Sequence, residues 1–335
     1  MTQTPVDPAA QVASLVDTAG PRVPELLGRV EVLLREAAAG HGPVVGEPAG
    51  ATIAAGGKRL RPLLVLLAAG VGPAGDVDDE RDLDLVRAAA SIELVHSATL
   101  VHDDVLDASP LRRGHPTVWA THGRHMATAV GDLLFARAFA ELTATGSLES
   151  VRILSRASSA LAEGELLQRS DAWNVDVPLE RYLHRCELKT ATLFESACGL
   201  GALHGRASDA VRDELGAFGR RIGLAFQLLD DVLDVAGPPE RTGKPVGTDL
   251  LDGTVTLPLI IARERDASLA AEDLRAVTTT DAAADVCARI AVTGALEESR
   301  ARALAMVAEA KDGLPDVPQR RVLELVADSV VDRYS

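Results

Sequence analysis

An all-α fold is predicted by three features of this 335-residue sequence: Ala and Leu dominate, charged residues recur at helical spacing, and aromatic side chains make up only 3%. Windows such as Asp82-Leu83-Asp84-Leu85-Val86-Arg87 and Val151-Arg152-Ile153-Leu154-Ser155-Arg156 read as amphipathic helix, and no run alternates β-branched with polar residues. Breakers then divide the chain in order: Gly40-His41-Gly42-Pro43, Gly70 to Asp79, Ser109-Pro110, Ser170 to Pro178, Gly237-Pro238-Pro239 through Gly253, and Gly313-Leu314-Pro315. They mark out roughly ten helices. No break has the length or polarity of an interdomain linker and no short-period repeat is visible, so one domain over residues 1–335 is expected, with residues 1–20 disordered.

Thirty-four Lys and Arg against 49 Asp and Glu give a formal net charge of −15, which argues against a nucleic-acid surface. Hydrophobic residues at 47% supply ample material for a core. Cys186, Cys198 and Cys287 have no C-x-x-C spacing, so neither a disulfide framework nor a zinc site is expected, and a cytoplasmic setting fits. The first residues lack the charged and apolar regions of a signal peptide. The longest apolar run, Leu63 to Val71, is far short of the about 20 residues of a membrane span. Peripheral contact with a membrane stays compatible, because an apolar product would have to be handed on.

The strongest signal is a repeat: Asp103-Asp104-Val105-Leu106-Asp107 recurs letter for letter as Asp230-Asp231-Val232-Leu233-Asp234. Each copy ends an otherwise apolar segment, where three carboxylates are costly unless cations accompany them. On a helix the first and fifth positions share a face, so Asp103 and Asp107 align, as do Asp230 and Asp234. Two such helices facing each other make an oxygen-rich cleft. Hard oxygens with room for water suit Mg²⁺, which takes one or two carboxylates from protein and the rest from substrate phosphates and water. The complement is cationic: Gly56-Gly57-Lys58-Arg59-Leu60-Arg61-Pro62 and Arg112-Arg113-Gly114 can hold an anion that no metal reaches.

These motifs, in order with His96, Gly131-Asp132, Lys189-Thr190-Ala191, Phe226-Gln227 and Gly243-Lys244-Pro245-Val246-Gly247-Thr248-Asp249, resemble those of the trans-type polyprenyl diphosphate synthases over about residues 50 to 260. The resemblance implies antiparallel helices around a central cavity, usually in a homodimer. It implies head-to-tail addition of isopentenyl diphosphate to an allylic diphosphate, with pyrophosphate released. Carried over residue by residue, Asp103, Asp107 and Asp230 would ligate Mg²⁺, three ions per site, on the allylic diphosphate, with Asp104, Asp231 and Asp234 supporting. Arg112, Lys189, Thr190, Gln227 and Lys244 would contact that diphosphate. Lys58, Arg61, His96 and Arg113 would bind isopentenyl diphosphate without metal. One departure is that many members carry a second Gly-Lys where this chain reads Asp252-Gly253-Thr254, a hydroxyl in place of a charge.

Ala98 and Thr99 stand about 7.5 and 6 Å down the helix from Asp103 at its usual rise per residue. Family members with short products often have an aromatic there, and these small side chains leave the pocket open. A long-chain product is therefore expected. A deeper floor such as Phe135 or Phe139 would instead give a geranylgeranyl or farnesylgeranyl product. Three other readings compete. A non-catalytic subunit of a heteromeric synthase would be expected to lose aspartates or the basic motif. A terpene cyclase would need aromatic walls to steer its cation, and a structural Mg²⁺- or Ca²⁺-binding protein would leave the cationic motifs without purpose.

Overall fold

Caps and breakers set the helix boundaries. The computed structural model describes residues 8–40, 42–72, 78–237 and 245–332. The first ten helices are α1 (Pro8–Thr18), α2 (Arg22–Ala39), α3 (Pro43–Ala54), α4 (Leu60–Ala68), α5 (Asp79–Leu106), α6 (Val118–Thr143), α7 (Leu148–Ser170), α8 (Leu179–Cys186), α9 (Thr192–His204) and α10 (Asp209–Ala236). Further helical segments run to Arg320–Asp332, and all six expected breaks coincide with helix ends. Sixteen α-helical segments occur among the described residues. The excess over the expected ten comes partly from single-turn pieces such as Thr248–Leu251 and Ala267–Ala270, too short to leave a periodic pattern. Side-chain caps account for several starts: Asp78, Thr117, Ser147 and Ser208 accept the backbone N–H three residues on, at 3.0, 3.1, 3.2 and 3.4 Å.

Disorder over residues 1–20 is not what the structure shows from Pro8 onward. Leu15 and Ala19 are buried, and α1 packs against Arg320–Asp332, so the apolar face of α1 is covered by the far end of the chain. Residues 1–7 lie outside the described part. A second departure is a minimal hairpin, β1 (Leu111–Arg112) paired with β2 (His115–Pro116). Its turn needs positive φ at Arg113 (52°) and Gly114 (79°), a primed turn that matches strand twist. Two-residue strands carry no alternating pattern, so sequence periodicity could not have found them.

The apolar residues bury into one contiguous cluster. Within it α9 packs against α4, α5, α7 and α10, while α5 lies along α6. Both pentapeptides therefore sit at the C-terminal ends of two 28-residue helices, α5 and α10, that share α9 as a neighbour. Cys186, Cys198 and Cys287 are buried free thiols.

Candidate active site

Carboxylates at a helix C-terminus oppose the helix dipole, so fold stability does not account for either acidic cluster. The two copies use their positions alike. The second aspartate of each is buried and held by protein donors: Arg112 Nε donates to Asp104 Oδ1 at 2.7 Å, and Tyr182 Oη and Gln227 Nε2 donate to the two oxygens of Asp231 at 2.5 and 2.8 Å. The first and fifth are more accessible: Asp230 and Asp107 are exposed, Asp103 and Asp234 half-buried. Burial pushes Asp103 up to about 6, with Glu165 and Asp107 adding to the rise and Lys189 opposing it. Burial also raises Asp231, against its hydrogen bonds from Tyr182 and Gln227. Asp234 accepts the Asp249 N–H at 3.2 Å, which ties α10 to the segment Thr248–Leu251.

Lys189 and Thr190 lie on one turn of π-helix, Glu187–Ala191, between α8 and α9. Such turns occur mostly as isolated insertions at functional sites. Two glycines admit it: a Cβ on Gly164 of α7 would stand 2.7 Å from the Lys189 nitrogen, and one on Gly223 of α10 would stand 2.8 Å from Ala191 Cα. Lys189 Nζ donates to Glu165, whose other oxygen accepts from Arg169 Nε at 2.8 Å, and Arg169 also pairs with Asp107. Burial would lower the Lys189 ammonium, but Asp103 and Glu165 outweigh it and hold the group above its ordinary value. For Glu165 burial acts upward and is overcome by Lys189 and Arg169. Thr190 Oγ1 donates to Gln227 Oε1 at 2.6 Å, so the π turn and the second acidic cluster are joined through Gln227 to Asp231.

On the cationic side, the Arg113 guanidinium at the hairpin tip packs on Gly57, where a Cβ would meet Nη1 at 2.9 Å. The two basic motifs therefore touch. Arg61 lies over the Phe194 ring at 4.5 Å, and burial, partly offset by Glu93 and reinforced by Arg113, pushes it down to about 10. Burial and then Arg61, Arg113, Arg112 and Arg59 hold His96 well below its ordinary value, so it stays a neutral donor. This crowding of like charge is what a bound anion would relieve. Arg59 is otherwise committed, to Glu31 and to buried Glu93 at 2.8 Å. Lys58 is half-buried beside it in sequence, and Lys244 lies outside the described residues.

Among the described residues no three His, Cys, Asp or Glu side chains stand close enough to hold a metal ion by themselves. The donor chemistry nevertheless fits a hard divalent cation that takes much of its shell from phosphate and water. At the chain-length level Ala98 is fully buried, Thr99 donates to the His96 carbonyl at 2.8 Å, and Phe135 stacks on His102 with ring centres 5.9 Å apart.

Four residues were not legible beforehand: Glu165, Arg169, Tyr182 and Arg185. Each is distant in sequence from the motif it serves. Buried Arg185 donates to the Val255 carbonyl at 2.7 Å and lies 5.4 Å from the Tyr182 ring centre, anchoring the segment next to Thr254. Replacing Tyr182 by Phe leaves a buried carboxylate oxygen without its donor, a loss of about 1–3 kcal/mol. We expect kcat about tenfold lower and a higher half-saturating cation concentration, read from a cation titration of turnover. An unchanged titration would leave Tyr182 a packing role alone.

The family model described as polyprenyl synthetase matches residues 43–292. The chain is 40% identical over 304 residues to "Heptaprenyl diphosphate synthase component 2" of Geobacillus stearothermophilus, covering 89% of this chain and 92% of that protein. It is 36% identical over 289 residues to the octaprenyl diphosphate synthase of Escherichia coli K12, covering 84% and 87%. Among solved structures it is similar to a decaprenyl diphosphate synthase from Rhodobacter capsulatus, with TM-score 0.84 and 36% identity over 97% of this chain and 99% of that one. Two acidic helix ends, a half-buried lysine beside the first of them and a cluster of cationic side chains thus belong to a chain that is a member of the polyprenyl synthetase family and a prenyltransferase.

Proposed function

We propose that this prenyltransferase joins isopentenyl diphosphate to an allylic diphosphate, with Mg²⁺ as the divalent cation, three ions per site, and that its product is a long-chain trans-polyprenyl diphosphate. The observation that carries it is the separation of two anion sites: one has carboxylates and needs a cation, the other has cations of its own. A bound divalent cation supplies neutralisation of the diphosphate whose charge grows as the allylic C–O bond breaks. Asp103 and Asp107 from α5 and Asp230 from α10 would hold it, with Asp104 and Asp231 fixing the helix ends.

The chain's own groups then have distinct tasks. Lys189, aligned by Glu165, and Arg112, aligned by Asp104, present positive charge to the leaving diphosphate. Thr190 and Gln227 orient it, and Lys244 would add a further contact. Arg61, Arg113 and Lys58 bind the second diphosphate, while neutral His96 offers a ring N–H. The double bond of isopentenyl diphosphate attacks the allylic cation, and the proton then lost passes to the departing pyrophosphate. Apolar walls keep water from the cation. The reading carries a homodimer, to be checked by light scattering at assay concentration.

Long product length is supported by small Ala98 and half-buried Thr99 below Asp103, and by relatives named heptaprenyl, octaprenyl and decaprenyl diphosphate synthases. The test is incubation with Mg²⁺, labelled isopentenyl diphosphate and farnesyl diphosphate, followed by chain-length analysis of the dephosphorylated products. A ladder ending at a long polyprenol is expected. Extension by one or two units would place a floor at the level of Phe135 or Phe139. No incorporation with any primer would move the reading to a subunit that needs a partner polypeptide. In the same assay Ala98→Phe should shorten the longest product, and an unchanged distribution would overturn the floor argument.

A further inference from the structure

Arg61 stands in the first turn of α4, where a cation opposes the helix dipole, and burial together with Arg113 disfavours its charge. Fold stability does not account for it. Among the described residues it forms no ion pair, and its buried Nε has no hydrogen-bond partner. Its guanidinium lies instead over the ring of Phe194, with 4.5 Å from the guanidinium carbon to the ring centre. Phe194 is fully buried on α9, four residues after Thr190. Two glycines of α10 seat it: a Cβ on Gly219 would stand 2.5 Å from the Phe194 carbonyl oxygen, and one on Gly223 would stand 3.0 Å from Phe194 Cβ. Phe226, next to Gln227, packs a tilted ring against it with centres 5.7 Å apart. Close packing of this kind fixes where the ring face points.

Two nearby arginines are held differently. Arg59 pairs with Glu93 at 2.8 Å and Arg112 with Asp104 at 2.7 Å, so a carboxylate compensates each charge. A carboxylate fixes an arginine at the expense of the charge and N–H donors it could offer an anion. An aromatic face attracts the cation through its quadrupole and carries no net charge, so the guanidinium is oriented while its full charge stays available to an incoming anion. Exclusion of water strengthens the contact. We propose that Phe194 is a positioning residue that holds Arg61 by its ring face, ready for the diphosphate of isopentenyl diphosphate, so that the electron density of one buried ring sets the affinity for this substrate. The proposal rests on the reading above that assigns Arg61 to isopentenyl diphosphate.

The test replaces Phe194 site-specifically by mono-, di- and trifluorinated phenylalanine, which withdraw electron density from the ring face in steps while nearly keeping its shape. Steady-state kinetics should show KM for isopentenyl diphosphate rising with each fluorine, to about tenfold for the trifluorinated ring. Both kcat and KM for farnesyl diphosphate should stay within about twofold. A ring that only fills space gives no such gradient. In an Arg61→Gln background the trifluorinated ring should add no further rise, because the contact is already gone. A flat series, or an equal rise in both backgrounds, overturns the proposal. Phe194→Met keeps an adaptable apolar side chain without the ring and should reproduce the roughly tenfold rise. It decides the matter if the fluorinated chains fail to fold, and an unchanged KM there overturns the proposal too. Arg61→Gln alone separates two kinds of failure. If it raises KM for isopentenyl diphosphate while the fluorinated series stays flat, the reading of the site stands and Phe194 serves packing alone. If it leaves that KM unchanged, the assignment of Arg61 falls and the proposal falls with it.

Discussion

Asp103→Asn should lower kcat about 10³-fold, a loss of about 4 kcal/mol in transition-state stabilisation, because it removes one carboxylate charge from the cation site while keeping shape and hydrogen-bonding size. Turnover within a few-fold of wild type would refute the metal assignment. The same variant should be more stable than wild type at pH 7.5. Burial raises the Asp103 carboxyl to about 6 in the folded chain, so between about 4 and 6 the native state binds more protons than the unfolded state. Stability from this group therefore falls as pH rises through that window, and above it the full penalty of a buried charge persists. Asn carries no such penalty. The stability gain of Asp103→Asn should shrink between pH 7.5 and pH 4, measured as the difference in Tm. Cation binding needs the ionised form, so wild-type affinity for the cation–diphosphate pair should weaken below about pH 6. An inactive variant that is more stable than its parent is the signature of a group kept for chemistry at a cost in stability.

Gly164→Ala is the second large effect. Alanine normally stabilises a helix interior by about 1 kcal/mol relative to glycine. Here its Cβ would stand 2.7 Å from the Lys189 nitrogen and 3.0 Å from Lys189 Cα, and backbone atoms cannot swing aside as a side chain end can. Either α7 or the π turn must move. We expect a net destabilisation of about 1–3 kcal/mol from overpacking and about 10²-fold lower turnover from a displacement of the Lys189 segment on the scale of 1 Å. Urea denaturation and steady-state kinetics read the two effects separately. A variant as stable and active as wild type would show that the close approach of α7 to the π turn does not position Lys189.

The extent to which the molecule was readable in advance follows from the range of each interaction. Helical periodicity, breakers and caps act within a few residues, so the all-α class and the boundaries at Ala39, Leu106, Ser170 and Ala236 follow from local chemistry. The pentapeptide repeat needs no coordinates either, since carboxylates at the ends of two apolar helices ask for cations wherever those helices lie. The partners of those carboxylates were beyond reach. Glu165 and Arg169 look like ordinary charges on α7 until Gly164 brings that helix onto the π turn, and Tyr182 becomes relevant only once α8 sets its hydroxyl on Asp231. Arg59 shows the reverse. Its motif makes it an anion ligand as much as Arg61, and Glu31 and Glu93 take it out of that role.

Composition and motif spacing were thus enough to establish the fold class, the two acidic clusters and the two basic motifs, because each depends on residue type and on distances along the chain. Which aspartates are exposed and which are buried and held by protein donors, and which cation is committed to structure, emerged from packing. Each of these depends on contacts between helices far apart in sequence. Those contacts are made by close backbone approach and buried ion pairs, neither of which leaves a periodic trace in the chain.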